Sequence, residues 1–370
     1  MFADNWKISL RQIKRLFVMD IFGISSLILP GIFSTLTGAD GILCLTLGMA
    51  GGMVLLWLIG ANLKHIKTDY YSYIKDTAGQ LLGDVFMVFY FLYFVTLCGY
   101  VLNQVTMLVL TWLLPEGSWM GVCILLLLLA VYASMRGIEG RARVYEIIFW
   151  FLGIPLLIML FLAMQEVDTA CWTPIVSSGG AQFLEGTIAV LIFLLPLTAL
   201  LFLKPFCQKP QQLASCGRWA MFLIIVLNAL IYLILVGVFG QNTMGILKRP
   251  IITLMGMVNL PGGFFTRQDV LMTAVWFFAL FALMNTGIFQ GTLILKDLCQ
   301  QCRGSWALWA TAVLAFIIAK GFFEYNFLTE VFEIYQSHVA LPGMFLILLI
   351  LLSLHWAKER KPKKEGITDV

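Results

Sequence analysis

"FGISSLILPG", Phe22 to Gly31, lies in the middle of the first long apolar run, and its reading decides the fold. A segment that only has to cross a bilayer is served best by Leu, Val and Ile, yet this one carries Gly23, Ser25, Ser26, Pro30 and Gly31. Proline removes a backbone donor and glycine loosens the helix, so the run reads as a membrane helix interrupted at mid-depth, with Gly23 to Ser26 as the break and Pro30 and Gly31 ending its outer half. The setting is apolar throughout. Of the 370 residues 61% are hydrophobic and only 12% charged, and the mean hydropathy is +0.92. That leaves too little polar surface to cover a soluble globule of this size, so the chain is an integral membrane protein.

Ten apolar runs are long enough to cross as helices, at about 12–36, 41–63, 82–113, 119–135, 145–165, 184–203, 218–240, 270–295, 305–322 and 339–357. Strand-like alternation is absent, which argues for a helical bundle and against an outer-membrane barrel. The third run is longer than a bilayer requires and is expected to tilt. With the N-terminus inside, 20 of the 24 Lys and Arg fall in the cytoplasmic segments, which places both termini in the cytoplasm. The basic excess therefore belongs to membrane orientation, and no polybasic or aromatic-interleaved segment points to nucleic acid. The N-terminal run lacks a convincing cleavage site and reads as an uncleaved first helix. The eight cysteines form no disulfide framework, and "CQQC" at Cys299 to Cys302 lacks the second ligand pair that a zinc site needs.

Ten spans divide at the outer loop around Asp168 to Gly180. The chain is read as a first five-helix repeat over 1–167, an extracytoplasmic linker over 168–183, a second five-helix repeat over 184–357 and a basic cytoplasmic tail over 358–370. An odd number of spans per half makes the second half enter with opposite orientation, the arrangement of inverted-repeat folds whose first helices are broken around a small ligand. The counterpart of the opening stretch is "FLLPLTALLF", Phe193 to Phe202, with Pro196 at mid-depth. Candidate ligand contacts are Gly23, Ile24, Ser25 and Ser26 in the first span, Leu194, Pro196 and Thr198 in the sixth, and Tyr93, Leu97 and Val101, which recur on one face of the third. Glycine or proline in a membrane helix often marks only a kink or close packing; paired interruptions in corresponding helices favour a site. Asp20, Asp84 and Glu185 lie near expected interfaces; simple solvation is the favoured account of Asp84 and Glu185, while for Asp20 solvation and a functional role stay equally open. No nucleophile has a matching base, no phosphate loop is present and the histidines sit at membrane boundaries. The expectation is a non-enzyme with no cofactor and no metal.

One further motif carries a family likeness. "RGIEGRARVYE", Arg136 to Glu146, between the fourth and fifth spans, resembles the signature of the spore germination permeases, the B subunits of endospore nutrient germinant receptors. "ISLRQ" at Ile8, Leu29-Pro30, "TGAD" ending at Asp40, "GQLLG" before the third span, "LLP" at Leu113, "TPI" at Thr173, "KP" at Lys209, "RPII" at Arg249 and "FFTRQDVLMTAVW" from Phe264 follow the family in order. The resemblance implies membership of the APC superfamily and the LeuT-type five-plus-five fold. It further implies a role in sensing an amino acid or other small nutrient in the spore inner membrane, with an A-type membrane subunit and a C-type lipoprotein as partners. It also assigns structural or partner-facing roles to Arg136, Gly137, Glu139, Arg143, Glu146, Arg267 and Asp269. The chain departs from the family at Thr198, where an acid is usual, and at Ala282 and Leu283, where a sodium site would need hydroxyls. The alternative reading is an APC-type amino-acid transporter coupled to sodium or protons.

Overall fold

The computed structural model describes residues 7–173, 178–247, 249–257, 268–299 and 304–360. Apart from one isolated bridge, the described chain is helical. The first half comprises α1 (Leu10–Leu36), α2 (Gly41–His65), the short α3 (Tyr70–Ala78), α4 (Gln80–Trp112), α5 (Trp119–Met135) and α6 (Gly137–Ala163). The second comprises α7 (Gly180–Leu194) running into a 3-10 segment (Leu195–Leu201), α8 (Leu213–Ile246), the short α9 (Pro250–Met257), α10 (Gln268–Leu298), α11 (Gly304–Glu324), and α12 (Phe327–Tyr335) joined through a π turn to α13 (Leu341–Arg360). Nine of these helical stretches are long and apolar enough to cross a bilayer, and the 17-residue α5 makes a tenth, shorter apolar helix.

Local chemistry explains the helix starts. At α1 the Ser9 hydroxyl accepts from the Gln12 amide while the Gln12 side chain accepts from Ser9 N, a reciprocal cap that satisfies two otherwise orphan donors. Asp69 at α3 and Ser118 at α5 make simpler caps, each side chain accepting from one first-turn amide. Between α5 and α6 the chain turns on Gly137 alone, at φ 71, a conformation that costs any residue with a Cβ. The expected loop over the family-like motif is therefore almost absent: α6 begins at Gly137, and "GIEGRAR" is its first two turns.

The helices α1, α8, α10 and α4 form the centre. α4 packs along most of α10, and α1 packs against α8 and α10. Close approach is built into small residues: a Cβ on Gly287 would lie 2.7 Å from Cys98 Cβ, and one on Gly23 would overlap Ala279 Cβ. Around this centre large apolar side chains such as Ile147 and Phe151 face outward, as a lipid environment requires. The two halves are also tied at their inner ends, where Ile8 N donates to Phe206 O at 2.8 Å and Gln208 N to Ile8 O at 3.1 Å.

Candidate functional site

The opening stretch is not broken. α1 is one α-helix from Leu10 to Leu36, with Pro30 inside it. The expectation of an unwound Gly23 to Ser26, with an outer half-helix ended by Pro30 and Gly31, is corrected by how its polar groups are used. The hydroxyls of Ser25 and Ser26 both fold back on Phe22 O, at 3.3 and 2.6 Å, and so stay satisfied within the helix. They also accept from neighbours: Asn228 Nδ2 of α8 donates to Ser25 Oγ and Trp276 Nε1 of α10 to Ser26 Oγ, each at 3.0 Å. Gly23 serves contact with α10. These small residues thus pin α1 between two partners, and Gly23, Ile24, Ser25 and Ser26 are all buried.

The interruption does occur in the sixth span. Leu195–Leu201 is a 3-10 segment led in by Pro196, and Thr198 Oγ1 donates back to Leu195 O at 2.8 Å. Gln290 Nε2 of α10 reaches Ala199 O at 3.4 Å. Leu194, Pro196 and Thr198 are buried beside α1, while Tyr93, Leu97 and Val101 are buried on α4. Among the described residues the Tyr93 hydroxyl has no hydrogen-bond partner. The predicted contacts therefore come from the intended helices, and the structure shows them packed shut.

Two polar regions flank this packed middle. Towards the cytoplasm, Asp20 is completely buried, which decides against simple solvation at an interface. Its Oδ2 accepts from Thr286 Oγ1 at 2.7 Å, and Thr286 Oγ1 accepts in turn from Arg141 Nη2 at 2.5 Å. Asn285 beside it accepts from Ser134 at 2.8 Å. Asp20 Oδ1, Arg141 Nε and Asn285 Nδ2 have no partner among the described residues, so three polar atoms converge on one layer. An inner cavity of about 560 Å³, lined by Arg136, Glu139, Arg141, Tyr145 and Asn285 among others, opens onto that layer.

Outward, a cavity of about 360 Å³ lies between α1, α4 and the residue preceding α9, lined by Leu27, Ile28, Gly31, Ile32, Tyr100, Gln104 and Arg249. Arg249 Nη2 donates to Gln104 Oε1 at 2.9 Å. Burial pulls this guanidinium below its ordinary pKa, an effect that Tyr100 opposes. Leu97, Tyr100 and Gln104 recur on one stripe of α4, so Leu97 lies one turn inward of the cavity. Gly23 to Ser26 line neither cavity.

The motif residues are used internally. Glu146 accepts from Arg15 at 2.5 Å and pairs with Arg11 at 2.9 Å, joining α6 to α1, which is a structural role within the chain. Arg143 pairs with Glu139 one turn before it, and Arg136 donates to the Tyr132 hydroxyl at 2.8 Å. Arg267 and the side chain of Asp269 lie outside the described residues. Sequence reasoning missed Arg141, hidden among the motif's exposed charges, and Arg249, counted only as an outer positive charge. It also missed the meeting of α2 and α13, where ligand atoms of His65, His355 and Glu359 come within 4.8 Å of one another, near enough to share a cation.

The family described as "Spore germination protein" matches residues 7–327, and the chain belongs to it. It is 24% identical to Spore germination protein KB of Bacillus subtilis over 381 residues, covering 98% of each chain. Its fold is similar to that of Mhp1, a nucleobase-cation-symport-1 family transporter, in a closed conformation with bromovinylhydantoin bound. That match has TM-score 0.61 and 12% identity, covering 84% of this chain and 71% of that one. It is similar also to a Na⁺-coupled sialic acid symporter in a substrate-bound outward-open state, with TM-score 0.62 and 14% identity over 91% of this chain and 78% of the other. The fold is the LeuT-type membrane fold of such transporters.

Proposed function

We propose that this member of the spore germination protein family is the membrane subunit of a nutrient germinant receptor, sensing an amino acid or other small nutrient in the spore inner membrane. The observation that carries the reading is the outer cavity at Arg249. Its volume, about 360 Å³, suits a small molecule. Its walls are aliphatic on the α1 side, and its polar end offers a guanidinium, an amide and a phenol. A planar guanidinium is the side chain best matched to a carboxylate, which would displace Gln104 as its acceptor. From there the ligand passes inward along α4 to Leu97 and Tyr93, where movement of α1 against the 3-10 segment opens the pocket bounded by Gly23 to Ser26, Leu194, Pro196 and Thr198. The role in this reading is recognition. On the inner face, Arg136, Glu139 and Arg143 are where we place contact with an A-type membrane subunit; a C-type lipoprotein completes the receptor.

Deletion of the gene in a sporulating host, followed by a screen of single nutrients for lost germination, tests the role. For the responsible nutrient, Arg249→Gln should raise the concentration needed for half-maximal germination at least tenfold, with the protein present at normal level. The carboxamide of the same nutrient should be insensitive to the substitution. An unchanged response in Arg249→Gln spores removes the outer cavity from the pathway, and an unaffected deletion strain removes the receptor role. The shared fold with two symporters favours a second reading, a secondary transporter; gradient-driven uptake of the nutrient into proteoliposomes containing this chain alone would establish it.

A further inference from the structure

The cytoplasmic half of the bundle has a lateral groove between α1, α6 and α8, with a cavity of about 700 Å³. Its deep walls are apolar, with Val18 and Phe22 from α1, Leu156 from α6, and Leu223 and Leu227 from α8. At the inner end, where α1 begins, the lining changes to Arg11, Lys14 and Arg15. Two tryptophans frame this basic mouth. Lys14 Nζ lies 5.3 Å from the Trp219 ring centroid, and the Arg15 guanidinium lies 5.3 Å from that of Trp150. Tryptophan at the level of the headgroups and basic side chains just beneath them are the two markers of a membrane interface.

Charge selects the occupant. Glu146 is the carboxylate paired with Arg11 and Arg15, so three cations meet one anion and the mouth keeps an excess of two positive charges. The apolar residues Ile154 and Leu157 on the groove's rim are exposed, as a lipid-facing surface requires, and an apolar slot about 12 Å deep, from Lys14 to Phe22 at 1.5 Å per residue, follows the direction of an acyl chain. We propose that this groove binds one anionic phospholipid of the inner leaflet, its phosphate held by Arg11 and Lys14 and an acyl chain lying along Val18, Phe22 and Leu223. A basic pocket between spans on the cytoplasmic side is the physical form such recognition takes. The lipid would brace α1, the helix that pins the centre, against α6 and α8.

The test uses the full chain purified in detergent, with phosphatidylglycerol and phosphatidylcholine of matched chains as probes and native mass spectrometry as the readout. Wild-type protein should retain one phosphatidylglycerol at least tenfold more strongly than phosphatidylcholine. The double variant Arg11→Gln with Lys14→Gln should lose at least fivefold of that preference. Leu223→Trp, which fills the slot and leaves every charge in place, should lose it too. A control, Lys209→Gln, removes an inner-face charge outside the groove and should leave retention unchanged. Equal retention of the two lipids by wild type, an undiminished preference in the double variant, or an equal loss in the Lys209 control each overturns the site. A protein segment copurifying in place of lipid would do so as well.

Discussion

Asp20 and Arg141 show how a single buried contact can govern this fold. Their side chains are 0% and 3% exposed at the residue level and are bridged by the Thr286 hydroxyl. A charge held so deep is tolerated when a counter-charge and hydrogen bonds compensate it, and removing one partner strands the other. Asp20→Asn should therefore lower stability by about 3 kcal/mol or more, read as a drop in thermal unfolding temperature in detergent. The double change Asp20→Asn with Arg141→Gln should recover part of the loss. If the double variant is the sum of the singles, the two side chains are not coupled and the reading of this layer is wrong. Thr198 is a milder case. Its hydroxyl makes one neutral hydrogen bond to Leu195 O, so Thr198→Val should cost only about 1 kcal/mol. A much larger loss would mean that the 3-10 segment depends on that bond.

At the scale of elements, the α5 to α6 junction concentrates the family motif. Gly137 turns the chain at φ 71, Arg141 points into the polar layer, and Glu146 ties α6 to α1 through two arginines. Gly137→Ala should cost about 1–2 kcal/mol from the left-handed backbone alone. Glu146→Gln removes the charge that Arg11 and Arg15 share and should loosen α1 from α6. Hydrogen exchange of the first turns of α1 should then quicken, while α11 stays as in wild type. Uniform change in both helices would assign Glu146 a global role instead of a local clamp.

For the whole molecule, the alternation of basic segments sets the topology. Single cysteines in a cysteine-free background should be labelled by an impermeant reagent from outside at Glu116, between α4 and α5, and only after permeabilisation at Lys209, before α8. Both positions are exposed, so access reports sidedness and not burial. The reverse pattern at either position would dissolve the opposed orientation of the two halves, and with it the pairing of α1 with the interrupted sixth span.

Hydropathy by itself determined that the chain is a membrane bundle, because bilayer thickness acts on each segment separately, and the basic-residue bias set the orientation that the labelling experiment tests. They also determined that small residues and proline matter near Gly23 and Pro196, since these deviate from what a plain span needs. What such a residue does is settled by its neighbours. Ser25 and Ser26 could have opened the helix; Asn228 and Trp276 from distant spans made them anchors, and the real interruption fell at Leu195–Leu201. Arg141 and Arg143 stand two residues apart in one charged motif, yet one is buried with Thr286 and Asp20 and the other pairs at the surface. A helix turns two such positions to different faces, and only packing against α1 and α10 decides which face is the interior.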